Sequence, residues 1–229
     1  MTTRGFAVAL IGPDGAGKTT VARRLESALG LPSIYLYMGV SPGSSNRLLP
    51  TTRLAQALKR RRMRGREAAG PGRGGSSRGS LRGAVHGLRG GLWLANRLAE
   101  EAYRLALSWW SRRRGLIVVL DRDFYYDYHA TDVSARPATI GRRVHGALLR
   151  TVYRKPDLVV YLDAPPAVLL ARKGEGSLDS LAVRRAQYLD AVRRAPQHQV
   201  VDATLPLEDV VADVVRAIRT FAAARARAT

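Results

Sequence analysis

Nine residues of this chain carry a pattern that can do chemistry. Gly12-Pro13-Asp14-Gly15-Ala16-Gly17-Lys18-Thr19-Thr20 follows the apolar run at 6–11 and opens a helical pattern near Lys18. The spacing is G-x-x-x-x-G-K-T between a strand and a helix, the form of a loop that cradles phosphate. Glycines let successive backbone N–H groups converge on phosphate oxygens where a side chain would block the approach. The Lys18 ammonium reaches the terminal phosphates, and the Thr19 hydroxyl is placed to ligate Mg²⁺. The helix N-terminus adds partial positive charge beneath the anion. A nucleoside triphosphate, ATP, is the expected ligand, held by Gly12, Asp14, Gly15, Ala16, Gly17, Lys18, Thr19 and Thr20.

Three further clusters suit the same chemistry. The buried-strand pattern at 116–120 ends in Asp121-Arg122-Asp123. A carboxylate there can orient Mg²⁺ or its waters, and Arg122 can hold an acceptor phosphate in bidentate fashion. The alternative is that Asp121 and Arg122 cap the strand and pair with each other. Trp93 and Arg97 are four apart and share one helix face, where a ring could stack on a base while the charge meets a phosphate. Spacing alone favours the plainer reading, a core indole and a solvated guanidinium. Arg172 and Lys173 end a helical pattern before Gly174, with Arg184 and Arg185 on the next one. They form either an ordinary basic helix stop or the cationic part of a closing lid that neutralises charge on a transferring phosphoryl group.

The elements that must position these groups alternate. Strand-like runs at 6–11, 33–38, 116–120, 158–162 and 199–201 are separated by helical patterns. That order predicts an α/β fold, a parallel five-stranded sheet flanked by helices on both faces, with ligands at the carboxyl ends of the strands. A chain of 229 residues suits one domain. With no cysteine, a disulfide framework, a thiolate metal site and a Cys nucleophile are all excluded. The first apolar run is too short for a signal peptide, and no stretch approaches the ~20 apolar residues of a membrane span, so a cytoplasmic protein is expected.

One stretch breaks the alternation. Residues 65–91 are rich in Gly, Arg and Ser and follow Lys59-Arg60-Arg61-Arg62-Met63-Arg64. Such a composition buries too little apolar area to offset ordering entropy, which predicts a flexible insertion. It reads either as a basic tether for nucleic acid or an acidic surface, or as a solvated low-complexity loop, and the lack of interleaved aromatics favours the loop. The net charge of +20 is carried almost wholly by arginine, with lysine only at Lys18, Lys59, Lys155 and Lys173. Coding bias plus a phosphate-handling site accounts for that skew more simply than a polyanion-binding surface.

In order and spacing, these segments look like the thymidylate kinase branch of the nucleoside monophosphate kinases, a family of the P-loop NTPase fold. The resemblance spans most of the chain apart from the insertion. It implies that Asp14 helps position the acceptor sugar, that Trp93 stacks on its base, and that Arg97 and Arg122 bind its phosphate. Asn96-Arg97 and Asp121-Arg122 match the family's paired residues, and 156–166 is similar to the strand and turn before its lid. Val201-Asp202-Ala203 resembles the loop beside the ATP adenine. The phosphate loop lacks the Arg that one subgroup carries, so Arg172 and Lys173 would supply the lid cations. Asp123 stands where the family has Tyr, which predicts extra negative charge near the acceptor. A homodimer is implied by the resemblance only.

The resulting expectation is an ATP- and Mg²⁺-dependent phosphotransferase acting on dTMP or a related monophosphate. Lys18, Arg122, Arg172 and Lys173 would be catalytic, Thr19 and Asp121 would hold the metal, and Asp14, Trp93, Arg97 and Arg122 would bind the acceptor. A kinase with a sugar or lipid-linked acceptor is the second reading. A nucleotide-gated polyanion-binding module is the third.

Overall fold

The computed structural model describes residues 5–39, 98–126 and 153–228. By its contacts the chain divides into two compact units, Met1–Ser45 with Leu107–Thr229, and Asn46–Ala106. All five strands belong to the first. Of the second, residues 98–106 are described; they are helical and pair Arg104 with Glu100 at 3.5 Å. The expected insertion at 65–91, with Trp93 and Arg97, lies outside the described residues.

The strands form where apolar and β-branched residues run without interruption. They are β1 (Ala7–Ile11), β2 (Ser33–Tyr37), β3 (Ile117–Asp121), β4 (Leu158–Asp163) and β5 (His198–Asp202). All four pairings are parallel and the sheet order is β2-β3-β1-β4-β5. The five-stranded parallel sheet expected from the sequence is therefore present. β1 and β3 are buried throughout, as central parallel strands covered on both faces must be, whereas edge strand β5 is mostly exposed.

The helices are α1 (Lys18–Ala28), α2 (98–113), α3 (Pro166–Lys173), α4 (Leu178–Arg193) and α5 (Leu207–Arg227). Val8, Leu10, Val160 and Leu162 point to one face of the sheet and join a core with Val21, Ala22 and Leu25 of α1 and Val210, Val214 and Ile218 of α5. Intervening Tyr161 points to the other face and stacks on Tyr188 of α4, ring centroids 6.1 Å apart. This alternation is the period-two geometry of a strand, and it places helices on both faces.

Two registers set up the site. Leu10 of β1 lies beside Asp121 of β3, and Ile11 lies beside Tyr161 of β4. The carboxyl ends of three neighbouring strands thus open at one level, where β1 hands the chain to the phosphate loop.

Candidate phosphate-binding site

The loop leaves β1 with Gly12 at φ 149, passes Gly15 at φ 91 and reaches Gly17 at φ 87, the N-cap of α1. A Cβ on Gly12 would sit 2.7 Å from the Leu162 carbonyl oxygen, and one on Gly15 would sit 2.8 Å from that of Leu169. Glycine is demanded at both positions by the backbone angle and by the close approach of neighbouring main chain. α1 has no side-chain cap and no acidic residue in its first turn. Its N-terminal dipole and leading N–H groups suit an anion.

Lys18 is the first residue of α1 and is buried. Its ammonium donates to the Gly12 carbonyl at 2.7 Å and to the Pro13 carbonyl at 2.8 Å, closing the loop over itself. It also lies 3.9 Å from Asp14. Thr19 is half-buried beside it and Thr20 faces outward.

Asp14 is the centre of the site's electrostatics. Arg122 Nη2 donates to its carboxylate at 2.8 Å, and Lys173 and Arg184 each approach it at 3.6 Å. With Lys18, four cations from α1, the end of β3, the end of α3 and α4 surround one carboxylate. Burial alone would raise the Asp14 pKa; the charges of Lys18, Arg122 and Lys173, with the Arg122 hydrogen bond, outweigh it and hold the group at about 2. The carboxylate is ionised at any physiological pH.

Arg122 is held in an uncommon conformation. Its φ is 76, in the left-handed region that a non-glycine residue enters only when its surroundings compel it. Its N–H donates to the Leu10 carbonyl at 3.1 Å, continuing the β1–β3 ladder one step past the strand. At the far side, a Cβ on Gly39 would lie 2.7 Å from Arg122 Cδ. The bare backbone at the end of β2 thus leaves the room in which the arginine stem passes.

Asp121, expected just beyond β3, is its last residue and is fully buried. One carboxylate oxygen accepts the Tyr35 hydroxyl at 2.9 Å. The other, Oδ1, is buried without a hydrogen-bond partner among the described residues. Burial first, and then the Asp121 charge, push the Tyr35 hydroxyl up, so it remains a donor. An orphaned, ionisable oxygen at the strand end beside the loop fits Mg²⁺ or its bound water, with Thr19 as the hydroxyl ligand on α1. No cluster of three or more His, Cys, Asp or Glu that could hold a metal occurs among the described residues, so a metal here would rest on few protein ligands and the phosphates themselves.

The basic residues around α3 divide their work. α3 ends at Gly174, whose N–H returns to Leu170 O at 2.7 Å, with Arg172 and Lys173 in the last turn. Lys173 turns to Asp14 and also pairs with Glu175 at 3.2 Å. Arg172 turns the other way, donating to the Ala203 carbonyl at 2.8 Å. The two neighbours on α4 differ in the same manner. Arg185 clamps Asp163 at the end of β4 through two 2.7 Å hydrogen bonds, while Arg184 reaches the phosphate loop. A capping box between Ser177 and Ser180 fixes the start of α4 and hence the aim of both.

Asp123, expected to bring negative charge near an acceptor, meets main-chain N–H groups and a tyrosine. It is fully buried, accepts the N–H groups of Tyr125 at 3.0 Å and Tyr126 at 3.2 Å, and accepts the hydroxyl of Tyr153. These bonds start a helical turn and tie down Tyr153. An Asp two residues past a strand is an ordinary helix cap, and that signal was available in the sequence.

A cavity of about 380 Å³ adjoins the loop on the α3 side. Gly15–Gly17 form one wall, Arg172 and Lys173 another, and Ala203, Leu205, Leu207 and Val210 an apolar third. Asp202 shapes the segment that supplies this wall by accepting the Thr204 N–H at 2.9 Å and its hydroxyl at 2.6 Å. A largely apolar cavity opening onto a phosphate loop suits a nucleobase and ribose. The resemblance at 201–203 points to this β5–α5 turn, and Ala203 lines the cavity, but nothing local marks Leu205 and Leu207 as its apolar wall.

No protein-family model matches the chain. Among solved structures it is similar to deoxyadenosine kinase from M. mycoides, determined with the product dCMP and a flexible dCDP bound. That likeness has a TM-score of 0.52 at 14% sequence identity, and covers 93% of this chain and 98% of the other. At such identity it is the fold that the two share.

Proposed function

We infer that this chain is an ATP-dependent phosphotransferase whose acceptor is a nucleoside monophosphate of the dTMP type. The observation that carries the reading is the convergence of Lys18, Arg122, Lys173 and Arg184 on Asp14 beside an uncapped helix N-terminus. Cations drawn from four elements to one point describe a place built for more negative charge than a single carboxylate supplies. ATP lies with its base in the cavity floored by Leu205 and Leu207 and its β- and γ-phosphates on the loop amides and Lys18. Arg172 supports the base side through Ala203, and Lys173 and Arg184 neutralise the phosphoryl group in transit. Arg122 meets the acceptor phosphate, and Asp14 is left to accept a hydrogen bond from an acceptor hydroxyl. The family resemblance implies Trp93 and Arg97 as further acceptor contacts; both lie outside the described residues.

Mg²⁺, held by Thr19 and Asp121, would supply charge neutralisation on the phosphate oxygens. The protein's own share is positioning and fixed charge, which phosphoryl transfer chiefly requires. One phosphotransferase domain carries the reaction, with 46–106 as a segment inserted between β2 and β3. The place of work is the cytoplasm, where ATP is, and a homodimer is the assembly that the family resemblance implies.

The neighbour in fold acts, by its name, on a nucleoside rather than on a monophosphate, which makes a hydroxyl acceptor the second reading. Purified protein given ATP, Mg²⁺ and a panel of nucleosides, monophosphates, sugars and lipid-linked alcohols separates the two. ADP release that depends on dTMP or a related monophosphate supports the first. Release that depends only on an uncharged acceptor replaces it with the second, and a chain that turns over ATP with no acceptor of the panel refutes both.

A further inference from the structure

The end of the sheet opposite the phosphate loop carries a surface that phosphoryl transfer does not use. α2 runs into β3, so its last turn lies at the amino-terminal edge of the strands. There a Cβ on Gly5 would sit 2.6 Å from the Arg112 carbonyl oxygen, and the Leu116 N–H returns to Ser111 O at 3.1 Å. At about 100° per residue, Trp109, Trp110 and Arg113 share one arc of the helix, and Ser108 and Ser111 share the opposite one. Burial along these arcs inverts the usual chemistry. Ser108 and Ser111 are buried, while Trp109 is 44% and Trp110 58% exposed. The Arg113 guanidinium lies 4.1 Å from the centroid of the Trp109 ring. Adjacent indoles standing in water on a regular helix mark a surface that meets something else.

The surroundings say what. Arg112 of α2 reaches Asp157 at 3.5 Å and Arg225 of α5 reaches it at 3.4 Å, and the same carboxylate accepts the Ala7 N–H at 2.9 Å. Burial lowers the Arg112 pKa, Asp157 opposes that, and the charge of nearby Arg154 adds to the lowering, which places Arg154 in this cluster. Asp157 is thus already shared, and Arg113 and Arg114, next to Arg112 in the chain, and Arg154 are exposed. A basic rim around paired indoles complements an anionic surface. It disfavours a second copy, because two-fold pairing would set the arginines of one helix against those of the other.

We propose that this pole docks on a membrane surface rich in anionic lipid. The last turns of α2, 107–113, meet the headgroup plane, the two indoles at its boundary with the acyl chains and the guanidiniums on lipid phosphates. None of the described helices is long and apolar enough to cross a membrane, so the attachment is peripheral. The phosphate loop, at the other end of the same strands, stays turned to the aqueous side.

The test uses the full chain with vesicles of phosphatidylcholine alone or mixed with phosphatidylglycerol. The protein sediments with the mixed vesicles and its indole emission shifts to the blue. The double variant Trp109→Ser/Trp110→Ser, which keeps Trp93, loses the shift and binds on the order of tenfold more weakly, with its circular dichroism unchanged. Trp110→Ser alone gives an intermediate loss and serves should the double variant misfold. Equal binding by wild type and the tryptophan variants overturns the proposal, since binding would then be the undirected attraction of a chain of charge +20. So does failure of the wild type to bind the mixed vesicles. So, too, does a dimer in sedimentation velocity that the double variant splits, for the face would then be a self-contact.

Discussion

Arg122 Nη2 donates to Asp14 Oδ1 at 2.8 Å, joining residues 108 apart in sequence across the mouths of β1 and β3. That bond makes the phosphate loop's own carboxylate the counter-ion of the arginine beyond the next strand, and Lys173 and Arg184 complete the cage. The loop and the far cations are therefore one electrostatic unit.

The unit has a pH signature. Asp14 titrates at about 2 in the fold against 3.8 for an ordinary aspartate. A folded pKa below the unfolded one means stability that is present above pH ~4 and lost as the pH falls toward 2. Partial exposure trims the contribution to about 1–2 kcal/mol. Urea midpoints across that window should fall less steeply for Asp14→Asn than for the parent, and parallel profiles would refute the assignment.

Lys18→Ala should lower kcat on the order of 10²–10³-fold or more while leaving the circular dichroism unchanged, because the loop's geometry is set by its glycines and the β1–α1 junction. Acceptor-dependent ADP release is the assay. A wild-type kcat would sink the phosphotransferase reading.

Adjacent arginines on α4 should separate cleanly. Arg185→Gln breaks the two-bond clamp on Asp163 and should cost about 1–3 kcal/mol in a denaturant titration. Arg184→Gln leaves that clamp intact, so its stability should change by less than about 0.5 kcal/mol. Its kcat should nonetheless fall roughly 10–100-fold, as expected on losing one charge aimed at the phosphoryl group. The reverse pattern would mean that the roles are exchanged.

Asp123→Ala should destabilise by about 2–4 kcal/mol, since it strips a cap from two N–H groups and removes the carboxylate to which the buried Tyr153 hydroxyl donates. Tyr153→Phe should cost about 1–3 kcal/mol through the same pair. In thermal melts both lower the midpoint, and neither should alter acceptor KM in the protein that remains folded. A KM effect without loss of stability would return Asp123 to the acceptor site.

Much of the site was readable before folding because its signals are local. The loop at 12–20 is a contiguous run whose glycines answer to backbone angles. Asp121-Arg122 sits at the end of an apolar run, where a parallel sheet presents its ligands. The strand boundaries were legible to within one residue, since continuous burial imposes continuous apolarity on β1, β3 and β4. Arg172 and Lys173 were legible as a pair but not as two residues facing apart. On a helix, neighbours differ by about 100°, and only packing says which direction holds the phosphate loop.

The sequence by itself determined that a phosphate loop joins β1 to α1 and that parallel strands end in Asp and Arg near it, because those outcomes depend on neighbours along the chain. The tertiary structure alone decided that Asp14 would gather Lys18, Arg122, Lys173 and Arg184, and that Asp123 would be buried against the Tyr153 hydroxyl. It also decided that Arg172 would turn to Ala203 and that the tryptophans of α2 would face outward. Each of these is a meeting, or a failure to meet, between residues from different elements. Strand order and helix rotation set such meetings, and both are fixed by how the whole core packs.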